Sequence, residues 1–387
     1  MIEVTIMDLM ELRNQINEID SEMLKLFLRR MEVAENVAEY KRQNGLPVLD
    51  AERERELLAN IAQQAGEDLD KYAVVLYSTL LSLSRSHQHR KLSPDKEYKG
   101  KIEAALESTP KLFPEKARIA CQGVEGAYSQ IAASKMFKIP SILYFSSFDG
   151  VFAAIESGMC EYGVLPIENS TAGSVKRVYD LMVDHNLYIV RSMRVKIDHN
   201  LLSKPGTKQS DIKEIFSHEQ AIDQCAAFLR TMKDVKVTVC PNTAVAARMV
   251  AESDRTDVAA LSSRDCAELY GLQILSGSVQ DKSNNYTRFI CVAKNPLIFP
   301  GADRTSIMLI THHKPGALYN VLAKINALGL NLLKLESRPL PEREFEFMFY
   351  FDIEASAYSP LLPELLSELD ADSEEFKYLG TYAETIG

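Results

Sequence analysis

Three cationic side chains lie on or beside an apolar helical stripe near the start of the chain. Arg13, Arg30 and Lys41 fall within residues 6–43, where apolar residues recur at three- and four-residue steps without Pro or Gly. Lys41 follows Arg30 by three turns plus about 20°, so both side chains leave the same helix face about 16 Å apart. Two long cationic arms at that spacing suit a small dianion. The alternative is that they are snorkelling stems at a helix edge.

Arg13 cannot join this pair from its own helix. It lies about 25 Å from Arg30 along the helix and is rotated by about 100°. It can reach the same ligand from a partner chain if two long helices run antiparallel.

Two further polar groups follow on the next helical stretches. Asp50, Arg53 and Glu54 open the second helix, and Ser84 and Gln88 lie one turn apart on the third. For Ser84 and Gln88 the alternative is ordinary polar surface.

Four short polar stretches stand out in the middle of the chain, and each has a structural alternative. Gly123–Ser129 resembles a glycine-rich phosphate turn but also permits a plain tight turn. Pro166–Val175 offers N–H groups and hydroxyls to a carboxylate but equally caps a helix. Ser217–Cys225 contains His218, which is more often structural. Asn284–Phe289 brings Thr287 and Arg288 into a strand, as an edge-strand polar pair also would.

The elements that must position these residues fall into three segments. The first, all-helical, has one helix predicted from about Ile6 to Gln43, a second after Asp50 and a third from about Leu69 to Leu92. The first helix would exceed about 50 Å, too long to be covered by the other two. We therefore predict that it pairs with a second copy in an intertwined dimer.

The other two segments mix helices and strands. A polar, proline-containing linker is predicted at residues 93–116, with one short helical pattern around Ile102–Leu106. Short β-branched runs then alternate with helices up to about residue 294, which predicts an α/β domain. The order β-α-β-β-α-β over residues 304–383 predicts the split βαβ of ferredoxin-like domains.

Composition narrows the function classes. The 387 residues include 44 Lys and Arg against 54 Asp and Glu, a net charge of -10, which gives no basic field for nucleic acid or a membrane surface. The six Cys are scattered singly, which favours reduced buried thiols over disulfides or zinc. His312-His313 lacks a nearby third ligand in the sequence. Without a signal-like start or a membrane-length apolar run, the chain is expected in the cytoplasm.

Residues 5–92 resemble the AroQ-type chorismate mutase domain. The resemblance rests on the order and helical setting of the cations and polar side chains described above. It implies that Arg13 of one subunit and Arg30 of the other bind the two carboxylates of chorismate, and that Lys41 and Gln88 donate to the ether oxygen. It further implies that Glu54 meets the ring hydroxyl, with support from Asp50, Arg53 and Ser84.

Residues 117–294 resemble prephenate dehydratase, most specifically at Thr287-Arg288-Phe289. The family implies a two-lobed α/β fold similar to periplasmic binding proteins, with prephenate in the cleft and Thr287 as the catalytic residue. The other residues that it places at or near the site are Glu168, Asn169, Ser170, Thr171, Ser217, His218, Gln224 and Arg288. An alcohol is a poor general acid, so Thr287 is expected to hydrogen-bond the departing hydroxyl, with Glu168 as a candidate proton source.

The last segment resembles the phenylalanine-binding ACT domain. The stretches that carry the likeness are Gly316–Tyr319 and Glu336–Pro339, although Tyr319 departs slightly from the family pattern. The effector residues that it implies are Gly316, Ala317, Leu318, Glu336, Ser337 and Arg338, and the effector would bind across a dimer of ACT domains.

Together the three resemblances cover nearly the whole chain, in the order of one known fusion. They imply a multidomain enzyme that converts chorismate to prephenate and prephenate to phenylpyruvate in phenylalanine synthesis, without cofactor or metal, under feedback inhibition by phenylalanine. Two alternatives stay open at this point. The helical segment would only dimerise, or the α/β lobes would only sense an aromatic acid.

Overall fold

The structure of the chain, a computed structural model, describes residues 8–92, 96–340 and 347–387. Of residues 89–92 and 96 only the backbone is described. The predicted helix start at Ile6 and the first residues of the predicted strand at 344–353 lie outside the described ranges. The chain divides into two compact units.

The first unit contains the N-terminal helices together with Thr311–Gly329 and Pro363–Ser373. Its main helices are α1 (Leu9–Gln43), α2 (Ala51–Ala65) and α3 (Asp70–Leu92). Asp8 caps α1, since its side chain accepts from the Met10 N–H, and Gly45 with φ of 65° follows the end of the helix. Asp50 caps α2 by accepting from the Arg53 N–H at 3.0 Å. Helix α3 packs against both α1 and α2.

Helix α1 leaves most of its apolar stripe exposed. Only Ala34 and Ala38 are buried on it. Apolar side chains along its length are 40% to 64% exposed: Leu12, Ile16, Ile19, Met23, Leu26, Val33 and Val37. The two shorter helices therefore do not cover this stripe within one chain, in line with the length argument from the sequence.

The segment predicted as a linker contains a helix, α4 (Lys96–Ser108), which is much longer than the pattern at Ile102–Leu106. Ile102 and Ala105 are buried, so burial stabilises a helix that the surrounding prolines had masked in the sequence.

The second unit begins with a two-lobed α/β fold. Lobe 1 is built on a seven-stranded sheet in the order β16-β5-β11-β3-β1-β2, with the short β4 paired to β3. Its strands are β1 (Lys116–Gln122), β2 (Ile139–Phe145), β3 (Tyr162–Asn169), β4 (Gly173–Ser174), β5 (Tyr188–Lys196), β11 (Tyr286–Ala293) and β16 (Glu384–Ile386). Its helices are α5 (Tyr128–Met136), α6 (Phe148–Glu156) and α7 (Lys176–Asp184).

Lobe 2 is inserted between β5 and β11 of lobe 1. Its sheet has the order β10-β6-β9-β7-β8. The strands are β6 (Asn200–Ser203), β7 (Glu214–Ser217), β8 (Lys236–Val239), β9 (Val258–Ser262) and β10 (Gln273–Ser276). The helices are α8 (Glu219–Gln224), α9 (Ala226–Thr231), α10 (Thr243–Glu252) and α11 (Arg264–Tyr270). The chain therefore crosses between the lobes twice, after β5 and before β11.

A four-stranded sheet, here called the C-terminal sheet, completes the second unit. Its strands are β12 (Arg304–Ile310), β13 (Asn331–Pro339), β14 (Phe347–Glu354) and β15 (Glu375–Tyr382), in the antiparallel order β13-β14-β12-β15. With α12 (Ala317–Ala327) and α13 (Leu361–Asp372), the chain order is the predicted β-α-β-β-α-β.

The C-terminal sheet shares a hydrophobic core with lobe 1. Tyr350 packs edge-on against Tyr179 of α7, with ring centroids 4.8 Å apart. Gly380, with φ of 134°, lets β15 approach β5, because a Cβ there would meet the backbone of Ile189. Strand β16, which the sequence did not predict, then joins the lobe 1 sheet parallel to β5.

All six Cys are free, buried thiols. Within the described ranges, no helix combines the length and apolar character needed to cross a membrane.

Candidate active sites

The first candidate site lies on the packed faces of α1 and α3. The Arg30 guanidinium donates to the Leu80 carbonyl at 3.4 Å. Leu80, Ser84 and Gln88 are spaced four residues apart, so they share one face of α3 beside Arg30. Ser84 and Gln88 are buried, and the Gln88 amide nitrogen donates to Ser84 Oγ at 3.3 Å. Gln88 Oε1 is buried and has no hydrogen-bond partner in the described part of the chain.

The remaining residues predicted for chorismate have varied settings. Lys41 Nζ donates to the Val48 carbonyl at 2.5 Å. Glu54 is ion-paired with Arg85 of α3, with Nη1 2.6 Å from Oε2, and Arg85 was not singled out from the sequence. Arg53 is exposed beside Glu56. Arg13 is exposed on α1 and, at about 1.5 Å per residue, is about 25 Å from Arg30 along that helix.

The second candidate site is the cleft between the lobes of the second unit, about 510 Å³ in volume. Thr287 of β11 and Asn169 of β3 lie opposite each other in the sheet. The Asn169 side-chain oxygen accepts from the backbone N–H groups of Thr171 and Ala172, both at 3.0 Å. These two donors fix the amide, so its nitrogen faces Thr287 Oγ1 and donates to it at 3.0 Å. Thr287 thereby accepts from Asn169, and its own O–H is left to donate into the cleft.

Gln224 extends this network across the cleft from lobe 2. Its amide nitrogen donates to Thr171 Oγ1 at 2.8 Å and to the Asn169 oxygen at 3.3 Å. Its oxygen accepts from Asn285 at 2.9 Å. The polar groups around Thr287 therefore come from both lobes, and a hinge motion between the lobes would change them.

His199 is a further cleft residue that was not singled out from the sequence. It lies at the first crossing between the lobes, and its Nε2 is 3.0 Å from Gln224 Oε1. Burial lowers the pKa of His199, so the ring is neutral near pH 7. Because Gln224 Oε1 is an acceptor, the single ring proton is assigned to Nε2. The only feature of the sequence that could have pointed to His199 is its position shortly after a strand, and this feature does not distinguish a cleft residue from a structural histidine.

Four helices begin at the cleft. The residues before α5, α7, α8 and α10, which are Ala127, Val175, His218 and Asn242, all line it. Ala127 and Val175 make no side-chain capping bond, so the first N–H groups of α5 and α7 are not capped by those side chains. Such helix starts favour carboxylates and phosphates.

Five residues predicted for the prephenate site are not part of the cleft lining; Thr171 bonds to residues that are, and the other four lie elsewhere. The register between β11 and β3 shifts between Arg288 and Phe289, with Phe289 opposite Pro166 and Arg288 opposite Glu168. This β-bulge at Ile167 puts Pro166 and Asn169 on the cleft side and turns Glu168 to the opposite side of the sheet. There Glu168 Oε1 is 2.8 Å from Lys334 Nζ of β13. In the structure Glu168 therefore lies outside the cleft, contrary to its predicted place at the site.

Three further predicted residues, Arg288, Ser170 and Ser217, also lie outside the cleft lining. Arg288 lies buried on the same opposite side, against Asp352. Ser170 lines a second cavity there, and its hydroxyl donates to the Asn284 carbonyl at 3.0 Å. Ser217 is fully buried and donates to the Leu261 carbonyl, so its role is structural. Of the other predictions, Asn169, His218, Gln224 and Thr287 line the cleft, and Thr171 bonds to Asn169 and Gln224.

The residues predicted for the effector fall in both units. In the first unit, Gly316 precedes α12 with φ of 82°, Leu318 follows in its first turn, and Ala317 lines a cavity of about 240 Å³. In the second unit, Glu336 accepts from Ser174 at 2.9 Å, and Arg338 donates to Asp180 at 2.7 Å. Ser337, between them on β13, is exposed on the other face. Glu336 and Arg338 thus attach β13 to lobe 1.

Comparison with known proteins identifies the family. A family model described as Chorismate mutase type II matches residues 12–89, and one described as Prephenate dehydratase matches residues 119–297. A bifunctional chorismate mutase/prephenate dehydratase of Escherichia coli (strain K12) is 32% identical, over 97% of this chain and 96% of that protein. This chain belongs to the bifunctional chorismate mutase/prephenate dehydratase family.

Two other relatives each cover about two thirds of this chain. Arogenate dehydratase/prephenate dehydratase 1 of Arabidopsis thaliana is 38% identical, over 69% of this chain and 72% of its own. A crystal structure of a prephenate dehydratase in complex with L-Phe, from Arthrobacter aurescens, is 26% identical with a TM-score of 0.63, covering 69% of this chain and 89% of that one.

Proposed function

We propose that this chain catalyses two successive steps, chorismate to prephenate and prephenate to phenylpyruvate, and is inhibited by phenylalanine. The observation that carries the second step is the amide network that leaves the Thr287 hydroxyl free to donate into a cleft at which four helices begin. The first step rests on the family and on the set of donors at α1 and α3.

The mutase step requires no nucleophile, proton transfer or cofactor. A Claisen rearrangement needs its substrate held compact and donors aimed at the charge that develops on the ether oxygen. Arg30 beside the buried Ser84 and Gln88 offers cationic and amide donors of that kind, with Lys41 at the end of α1. Arg13 completes the set only from a second chain, and the exposed apolar stripe of α1 supports an antiparallel pairing that would bring it there.

The dehydratase step needs help for a departing hydroxide. Prephenate loses its ring carboxylate and hydroxyl together as the ring becomes aromatic. With Asn169 donating into Thr287 Oγ1, the threonine proton is directed towards the leaving hydroxyl. The uncapped starts of α5 and α7 are suited to the carboxylates of the dianion.

The lining of the cleft favours prephenate over arogenate, the second compound in the name of the Arabidopsis relative. Arogenate carries an ammonium group where prephenate has a keto oxygen. No Asp or Glu is among the described residues that line the cleft, so an ammonium group would find no carboxylate there. We expect kcat/KM to be higher for prephenate when both substrates are compared.

Inhibition by phenylalanine rests on the β-α-β-β-α-β order, which is that of ACT domains, and on the start of α12 at Gly316. Linkage requires that phenylalanine bind the active and less active states unequally. Saturating phenylalanine should lower the prephenate dehydratase rate, and an unchanged rate would contradict this part of the proposal.

Two assays test the two steps separately. Purified protein incubated with prephenate should form phenylpyruvate, whereas a protein that only senses aromatic acids would bind prephenate without turnover. With chorismate, Lys41→Ala should lower the mutase rate about a hundredfold, because losing a transition-state donor costs about 3 kcal/mol. An unchanged rate would indicate that the helical segment does not use Lys41.

A further inference from the structure

A buried charge cluster lies behind the strand that carries Thr287. The side chain of Arg288 points away from the cleft and is 8% exposed. Its guanidinium is ion-paired with Asp352 of β14 and donates to the Tyr382 hydroxyl at 2.6 Å. Its Nε is 3.0 Å from Glu384 Oε2. A guanidinium this deeply buried depends on its carboxylate partners, because an unpaired buried charge is very unfavourable.

Glu384 pairs with two more arginines. It lies on β16, its side chain is 4% exposed, and its oxygens are 2.9 Å from Arg194 and 3.2 Å from Arg304. One carboxylate therefore separates three guanidinium groups, which come from β5, β11 and β12. Among the described residues, Arg288 has two other carboxylate partners: Asp352 in close contact, and Glu168 at 3.6 Å.

This cluster acts on the strand at the point where the bulge lies. Arg288 follows Thr287 directly, and the register shift between Arg288 and Phe289 sets Asn169 opposite Thr287. The Asn169–Thr287 hydrogen bond therefore depends on where Arg288 is held.

We infer that Glu384 is a positioning residue for the dehydratase step, which acts through Arg288 on the pairing of Thr287 with Asn169. This inference rests on the proposed dehydratase function. Without the Glu384 charge, three guanidinium groups repel one another around a single remaining close carboxylate, Asp352. Arg288 cannot turn to water from its buried position, so the strain is relieved by movement of β11 at the bulge.

Glu384→Gln tests this role, since glutamine keeps the size of the side chain and one acceptor oxygen. We expect kcat for prephenate to fall at least about tenfold, because a displacement of about 1 Å costs about a hundredfold in rate. KM should stay within about twofold, because Glu384 does not line the cleft. The mutase rate of the same preparation should be unchanged, which shows that the protein is folded.

Glu354→Gln is the matched control. Glu354 is an exposed carboxylate at the end of β14, and it accepts from Asn331 at 3.1 Å, which glutamine can also do. This variant should keep the wild-type kcat for both reactions.

A double variant separates positioning from general destabilisation. Glu384→Gln with Arg304→Gln restores the charge balance around Arg288 and should recover most of the lost kcat. The inference is overturned if Glu384→Gln keeps the wild-type kcat, if both reactions fall in equal proportion, or if the double variant recovers nothing. A wild-type protein that forms no phenylpyruvate would overturn the proposed function and this inference together. If the wild type is active, the proposed function stands, and the rates of the Glu384 variants alone test the inference.

Discussion

At the scale of single residues, the proposed dehydratase mechanism depends on the direction in which the Thr287 hydroxyl donates its proton. Two backbone N–H groups fix the Asn169 amide, and the amide fixes the Thr287 hydroxyl as a donor towards the cleft. This assignment does not rest on the placement of any hydrogen, because backbone N–H groups are unambiguous donors.

Thr287→Val removes that donor while keeping the shape of the side chain. We expect kcat for prephenate to fall about a hundredfold or more, as for other donors to a developing charge, with little change in KM. Thr287→Ser keeps the hydroxyl and is the control, with a kcat close to that of the wild type. Undiminished turnover by Thr287→Val would rule out the assigned role.

A second residue-scale prediction concerns pH and lobe 2. Hydrogen bonding from Thr238, followed by Arg255 and Lys236, lowers the pKa of Glu214 to about 2 from 4.5. A lowered carboxylate pKa stabilises the fold above the unfolded pKa, and this contribution is lost as the pH falls towards about 2.

Glu214→Gln should therefore lower the free energy of unfolding by about 1 kcal/mol at pH 7, since the arginine and lysine partners are largely exposed. In urea titrations, the gap between variant and wild type should narrow between pH 5 and pH 3. A gap that widens on acidification would contradict the sign of the shift.

The sequence predicted cleft residues that belong to a recognisable motif. It did not predict on which side of the sheet a residue lies where the pairing of strands determines this. Thr287, Asn169 and Gln224 meet in the cleft as expected. Glu168 does not, because strand alternation from Pro166 is reversed by a bulge that only the pairing of β3 with β11 reveals. His199 and Asn285 were missed because their contacts join residues far apart in the chain.

At the scale of elements, helix α1 has the length and the apolar stripe that the sequence predicts, but the rest of the chain does not cover the stripe. Its apolar side chains are exposed. By contrast, β16 and most of α4 were not predicted, since both are short or interrupted patterns that gain their stability from tertiary contacts.

The proposed pairing of α1 predicts complementation between variants. Arg13→Ala and Arg30→Ala should each lose mutase activity, yet an equimolar mixture of the two should regain about a quarter of the wild-type rate, because about half of the dimers are then heterodimers and one of the two sites in each is intact. The matched control mixes Arg30→Ala with Lys41→Ala. These residues belong to the same chain in each site, so no activity should return. Recovery in the control, or none with Arg13→Ala, would argue against a shared site.

At the scale of the whole molecule, the dehydratase site depends on more than its two lobes. Lys334, Glu336 and Arg338 attach the edge strand of the C-terminal sheet to lobe 1, and Asp352 of the same sheet holds Arg288. The sheet that we propose to be regulatory is thus in direct contact with the strands that carry Asn169 and Thr287. The order of the segments was predictable from sequence, but this attachment was not.

The central claim is that one chain performs both reactions in succession, and a time course with chorismate as the sole substrate tests it most directly. Chorismate, prephenate and phenylpyruvate are followed together for the wild type, Lys41→Ala and Thr287→Val. We predict phenylpyruvate from the wild type, greatly slowed consumption of chorismate by Lys41→Ala, and prephenate that accumulates with Thr287→Val. Wild-type protein that leaves chorismate unconsumed, or that stops at prephenate, would contradict the account.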